Sequence, residues 1–149
     1  MIQPKHVVVV GALVRNADSR ILLIRHHRRG WEIPQGRVEE GEGLLEALHR
    51  EVREESGVEI TPGPLAAVFS KTSPPAAVIF SFIADYRSGT LRPSEETPEL
   101  AWFSPQAALA QVSHPVNHHR LATLLTFDGH TLFSAYSTNP FTVQGETGL

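Results

Sequence analysis

The segment Gly36-Arg37-Val38-Glu39-Glu40-Gly41-Glu42-Gly43-Leu44-Leu45-Glu46-Ala47-Leu48-His49-Arg50-Glu51-Val52-Arg53-Glu54-Glu55-Ser56-Gly57-Val58 sets out a helix and its end. Its apolar spacing predicts a helix from about Glu42 to Ser56, stopped by Gly57, a residue suited to the left-handed turn that closes helices. At ~100° per residue, Leu45, Leu48 and Val52 form one ridge that can pack on a sheet. Glu51, Glu54 and Glu55 lie three and four positions apart, so their side chains share an adjoining face. Like charges at that spacing repel by about 0.2–0.5 kcal/mol per pair. Glu54 and Glu55 also fall in the last turn, where the helix dipole disfavours anions. Arg50 offsets part of this, with Glu46 and Glu54 each four residues away. An ordinary solvated acidic face would not break two local rules at one place; functional sites do. A divalent cation would resolve both conflicts. An oxygen-only donor set suits Mg²⁺ or Mn²⁺ rather than zinc or copper, and Mg²⁺ is commonly held by carboxylates together with substrate phosphates.

Working outward, His6–Val14 is rich in β-branched residues and reads as a buried strand. Asn16-Ala17-Asp18-Ser19 is turn chemistry, and Arg20–Arg25 resumes a strand, which predicts a hairpin. A basic loop, Arg25-His26-His27-Arg28-Arg29-Gly30, leads into a short strand at Trp31-Glu32-Ile33 and a turn at Pro34-Gln35-Gly36. Beyond the helix, Leu65–Lys71, Ala76–Tyr86 and Leu100–Phe103 read as strands, with a polar loop over Ser88–Pro98. Ser104-Pro105 opens a short helix to about Gln111. Pro115–Phe127 is a second helical candidate, Thr131–Tyr136 a last strand, and Thr138–Leu149 a loose tail. The sum is one mixed α/β domain over residues 1–149.

Composition narrows the class. The 149 residues suffice for a packed core, and the absence of cysteine excludes disulfides, thiolate–zinc sites and cysteine nucleophiles. Thirteen Lys and Arg against sixteen Asp and Glu give a net charge of −3, which argues against nucleic acid as a partner. Apolar runs fall far short of the ~20 residues of a membrane span, and no secretory layout opens the chain, so a cytoplasmic location is expected.

Gly36, Glu42 and the run Arg50-Glu51-Val52-Arg53-Glu54-Glu55-Ser56-Gly57-Val58 fill every fixed position of the Nudix box, and the chain resembles the Nudix hydrolases. Seven fixed and two aliphatic positions would agree by chance roughly once in ten million chains or fewer. Trp31-Glu32-Ile33-Pro34 looks like the strand the family places before its box. The resemblance implies a Nudix fold, a mixed sheet sandwiched between helices (α/β/α), and Mg²⁺-dependent (or Mn²⁺-dependent) hydrolysis of a nucleoside diphosphate linked to another group. By that similarity Glu51, Glu54 and Glu55 would ligate metal with the carbonyl of Gly36, and Glu42 would pair with Arg50. Glu54 is the favoured general base; Glu95, Glu96 and Glu99, in the acidic loop Ser94–Glu99, are alternatives.

Other signals are weaker. Arg25 and Arg28, with neighbouring Arg29, and Arg37 just after Gly36 are candidate phosphate contacts. His114, His118 and His119 lack metal-site spacing and read as surface or packing residues. Phe80, Phe82, Tyr86 and Trp102 read as core or sheet face. For the substrate, Pro74, sixteen positions after Val58, is similar to a proline that marks ADP-ribose pyrophosphatases. Gln35 instead gives a Pro-Gln-Gly found in family members acting on RNA 5′ ends and dinucleoside polyphosphates. An ADP-ribose-like small nucleotide is favoured, with damaged nucleoside triphosphates as a rival and a non-catalytic nucleotide sensor as the alternative of another class. A homodimer is compatible with the chain and not derivable from it.

Overall fold

The computed structural model describes residues 2–149. The order is β1 (Val7–Arg15), β2 (Ile21–His26), β3 (Gly30–Glu32), β4 (Gln35–Arg37), α1 (Leu44–Ser56), β5 (Glu59–Lys71), β6 (Ala77–Ser88), β7 (Glu99–Phe103), α2 (Pro105–Gln111), α3 (Pro115–Leu125), β8 (Leu132–Ser137) and β9 (Thr142–Gly148). The sheet is mixed. β1 runs parallel to β6 from Val7↔Ala77 to Arg15↔Asp85, β6 is antiparallel to β5, and β5 is parallel to β8.

Alternation along the strands splits the core into two layers. Val10, Ala12, Val14 and Leu22 face α1, packing on Ala47, Leu48 and Val52. Leu13, Ile21, Leu23 and Phe69 face the other way, onto Ala108 and Val112 of the α2 segment and Leu121 and Leu124 of α3. Helices therefore cover both faces of the sheet, as the α/β/α expectation requires. Phe80, Phe82 and Trp102 belong to the α1 side of the core, and Tyr86 packs edge-on against Trp102 with ring centroids 5.7 Å apart.

Three local expectations need correction, and a fourth holds in shorter form. Leu45 is 49% exposed: the ridge that meets the sheet is Ala47, Leu48 and Val52, and Leu45 points off it. Pro34-Gln35-Gly36 is not a turn, because Gln35, Gly36 and Arg37 pair with Gly11, Val10 and Val9 as β4. The hairpin expected between β1 and β2 is present but short, pairing at Arg15↔Ile21 with the Asn16 N–H donating to the Arg20 carbonyl at 3.0 Å; β2 then turns to β3 and β7. Residues 142–148 of the expected loose tail form β9, an exposed edge strand laddered on β8.

Candidate active site

β4 is the wall on which the site is built. On one side lies the C-terminal half of α1. A Cβ added at Gly36 would overlap the Glu51 carboxylate, so glycine there leaves that carboxylate its place against β4. α1 ends where Gly57 adopts φ +81° and its N–H donates to the Arg53 carbonyl at 2.8 Å. A side chain there would also strike the Thr90 carbonyl at 2.6 Å.

Glu51, Glu54 and Glu55 line a cleft of about 410 Å³ with Ser94, Glu95 and Glu96. Five carboxylates thus share one concavity that no cationic residue lines. The acidic loop is not free in solvent: buried Thr97 donates its hydroxyl to the Glu55 carbonyl at 2.9 Å, and the Arg92 N–H donates to the Ser56 carbonyl at 2.8 Å.

Arg50 organises the helix side. Its Nε and Nη2 donate to the two oxygens of Glu42 at 2.6 and 2.9 Å, a bidentate pair. Nη1 donates to Glu51 at 2.9 Å and to Glu54 at 3.2 Å, and Nη2 also donates to the Arg37 carbonyl at 3.0 Å. The Arg50 guanidinium and the Glu39 N–H hold the Glu42 carboxyl down at about 2. Burial pushes Glu51 up, and it pushes Glu55 up to about 9 although the Gln35 N–H donates to its carboxylate at 2.8 Å. Among the described residues no three His, Asp or Glu side chains converge closely enough to hold an ion as they stand. Arg50 draws Glu51 and Glu54 to itself, while Glu55 is held by β4. The donor chemistry nonetheless fits a hard cation: oxygen ligands only, desolvated carboxylates, and a glycine backbone against one of them.

On the other side of β4 is a cavity of about 420 Å³, whose lining includes Gly36, Arg29, Arg37, Lys71 and Arg120 and no acidic residue. A buried polar network backs it. Glu32, 1% exposed, accepts from Arg29 at 2.8 Å, from Gln35 Nε2 at 3.0 Å and from Asn117 Nδ2 at 2.7 Å. Arg120 is buried, 6% exposed, and burial lowers its pKa. Its guanidinium carbon lies 5.6 Å from the centre of the Phe69 ring.

A family model described as the NUDIX domain matches residues 5–124. The chain belongs to the Nudix family. It is 33% identical over 116 residues to an 8-oxo-dGDP phosphatase of Danio rerio, covering 72% of this chain and 35% of that protein. The chain therefore spans about a third of the length of that relative. It is 30% identical over 126 residues to the uncharacterized Nudix hydrolase YvcI of Bacillus subtilis, covering 80% of this chain and 73% of the other. Among solved structures, a mutator MutT protein from Bacillus halodurans superposes with a TM-score of 0.78 at 24% identity, covering 95% and 97% of the two chains, a likeness of fold.

Within this Nudix domain the expected residues separate. Glu42, Arg50, Glu51, Glu54, Glu55 and Gly36 come together, and Glu95 and Glu96 join them across the cleft. Glu99 does not: it lies on β7 and accepts from Arg25 at 2.9 Å, which occupies Arg25 as well. Arg28 is exposed and lines neither cleft; of the four expected phosphate contacts, Arg29 and Arg37 line the basic cavity. Pro74 lines a separate cleft with His6 and Thr72. His114 caps α3 and His119 meets Glu146 at 3.2 Å. Sequence reasoning missed Lys71, and also Asn117 and Arg120, which lie three residues apart on α3 but far in sequence from Lys71 and from the box. The Glu32–Gln35 pair, three residues apart beside the box, was the one signal that could have pointed to the cavity. No helix among the described residues is long and apolar enough to cross a membrane.

Proposed function

We propose that this Nudix domain hydrolyses the diphosphate linkage of a small nucleoside diphosphate derivative, with Mg²⁺ (or Mn²⁺) held by Glu51, Glu54, Glu55 and the carbonyl of Gly36. One observation carries the reading: Glu51 and Glu55 of the acid-lined cleft abut Gly36 and Gln35 of β4, and those same β4 residues line the cation-lined cavity. A diphosphate lying across Gly36 would meet carboxylate-held cations on one side and arginines on the other.

When bound, the divalent cation neutralises phosphate charge and lowers the pKa of the attacking water. The chain's own groups do the rest. Arg37 and Lys71 take phosphate oxygens as fork and point donors respectively. Glu54, the most open of the three box carboxylates with its side chain 59% exposed, accepts the proton from water. Arg50, clamped by Glu42, keeps Glu51 and Glu54 on the cleft side of α1 and ties the loop after β4 to the helix. Thr97 keeps Glu95 and Glu96 opposite, where either is a second candidate base. Attack by water on one phosphorus breaks the P–O–P bond and leaves a nucleoside monophosphate on one side.

For the substrate we favour a purine nucleoside diphosphate over ADP-ribose. The proline behind the ADP-ribose reading lines another cleft, and an 8-oxo-dGDP phosphatase is among the relatives. The test is turnover, with Mg²⁺ and with EDTA, of a panel holding purine nucleoside diphosphates, ADP-ribose, nucleoside triphosphates, dinucleoside polyphosphates and triphosphorylated RNA. Mg²⁺-dependent release of a monophosphate supports the reading. No turnover of any member would leave a nucleotide sensor.

A further inference from the structure

Of the three box glutamates, Glu51 and Glu54 accept from Arg50, at 2.9 and 3.2 Å. Glu55 does not. Among the described residues no cationic side chain pairs with it, and the main-chain N–H of Gln35, at 2.8 Å, is the one donor to its carboxylate. Glu55 is 8% exposed, so solvent has little access to share that task. The direction of its carboxylate therefore depends on where β4 places a single N–H.

That N–H sits at the weak end of a short ladder. β4 pairs with β1 over three residues, and Gln35↔Gly11 is the last pair. Side chains standing opposite one another do much to hold a strand pair together. Gly11 has none to offer. Pro34 contributes its carbonyl, which accepts from the Ala12 N–H at 3.1 Å, but has no N–H of its own.

The hold comes from the side chain of Gln35 instead. Its Nε2 donates to Glu32 at 3.0 Å. Glu32 is 1% exposed and is gripped by Nε and Nη2 of Arg29, at 3.0 and 2.8 Å, and by Asn117 at 2.7 Å. A buried carboxylate is costly unless it is paired and hydrogen-bonded. Here Arg29 balances the charge, and the arrangement yields a fixed place for the Gln35 amide. Arg29, Glu32 and Gln35 follow at intervals of three residues, so one run of chain builds both the brace and the strand it steadies.

We infer that Glu32 is a positioning residue: by gripping the side-chain amide of Gln35 it fixes the main-chain N–H that aims Glu55 into the acidic cleft. Glu32 itself does not line that cleft. The inference rests on the reading that Glu55 is a cation ligand, and it extends the site to the strand before the box. Losing a residue that orients a metal ligand typically weakens metal binding or activity by about 10–100-fold.

The experiment compares Glu32→Gln and Gln35→Met with wild type by electron paramagnetic resonance titration of Mn²⁺, by the Mg²⁺ dependence of turnover and by urea unfolding. Gln35→Met keeps the main-chain N–H and every charge, fills a similar volume, and leaves Glu32 its Arg29 and Asn117 donors. Both variants should bind Mn²⁺ about tenfold or more weakly. The Mg²⁺ concentration at half-maximal rate should rise in step, with little change in nucleotide KM at saturating Mg²⁺. Should Glu32→Gln fail to fold, Gln35→Met decides alone. A loss of Mn²⁺ affinity confined to Glu32→Gln is an effect of charge and overturns the inference. Lower urea midpoints with unchanged Mn²⁺ affinity make the brace structural only and overturn it too. Loss of affinity in both variants of a protein that turns over no nucleotide leaves the inference standing and removes the hydrolysis. Turnover by wild type, with Mn²⁺ affinity intact in both variants, overturns the inference and leaves the hydrolysis standing. Absence of Mn²⁺ binding by wild type overturns the inference.

Discussion

The two sides of β4 differ in how they are made. The acidic cleft takes three carboxylates from two turns of α1 and two more from a loop pinned to the end of that helix. The basic cavity takes Arg29 from the β2–β3 loop, Lys71 from the end of β5 and Arg120 from α3, parts of the chain up to ninety residues apart. A cluster on one helix is set by local spacing and survives small movements of its neighbours. A cluster assembled from several elements exists only when all of them are docked. The first should therefore fail through chemistry when changed, and the second through packing and binding.

The sharpest break of that contrast is Glu54→Gln. It should lower kcat by roughly 10²-fold or more in Mg²⁺-dependent turnover, with a melting temperature close to wild type. Were the melting temperature to fall with the rate, the acidic side would be no less structural than the basic one. Gly36→Ala comes next. The new methyl occupies the place of the Glu51 carboxylate and turns that side chain away, so activity should fall at least tenfold while stability changes by about 1 kcal/mol or less. On the other side, Asn117→Leu removes a donor from buried Glu32 and should cost about 1–3 kcal/mol in urea unfolding, raising KM more than it lowers kcat. An equal loss in kcat would mean that the cavity also shapes the cleavage step.

Proton linkage sharpens the comparison further. The folded protein holds the Glu55 proton up to about 9, whereas an unfolded glutamate releases it near its ordinary value of about 4.5. Between those limits the folded state binds more protons, so without divalent ions stability should fall as pH rises from about 5 to 9. Glu51, also raised, acts in the same direction. Glu42 acts oppositely, its contribution being lost only as pH falls from about 4.5 toward 2. Urea midpoints across pH 5–9, with EDTA and with saturating Mg²⁺, check this; a cation that replaces the protons should flatten the slope. The smallest effect belongs to Arg25→Ala. Its exposed pair with Glu99 should be worth under about 1 kcal/mol, and turnover should be unchanged.

What the sequence disclosed follows the same division. Glu51, Glu54 and Glu55 were legible because helical periodicity alone puts them together. β1, β2 and β6 were legible as strands from their apolar and β-branched runs, though a continuous run such as Val7–Val10 does not say which residue faces which helix. Leu45 misled because periodicity gives a stripe without saying which edge of it meets the sheet. β4 was read as a turn because its strand character comes from Gly11, Val10 and Val9, partners some 25 residues back. β9 is held by its ladder to β8 while its side chains stay exposed, so no burial pattern announces it. Arg25 looked like a phosphate contact only while Glu99, brought beside it by the β2–β7 pairing, was out of view. Arg120 carried no local mark at all.

A divider three residues long has an evolutionary corollary. Side chains of α3, and of β6 at Ala77 and Ile79, could be re-lettered to admit new ligands without disturbing the machinery on α1, because they face the basic cavity while Phe80, Phe82 and Ala84 of β6 pack on the helix. Gln35 is the exception, with its main-chain N–H on Glu55 and its side chain in the Glu32–Asn117 network. A change there disturbs the support of Glu55 and the network behind the basic cavity at once.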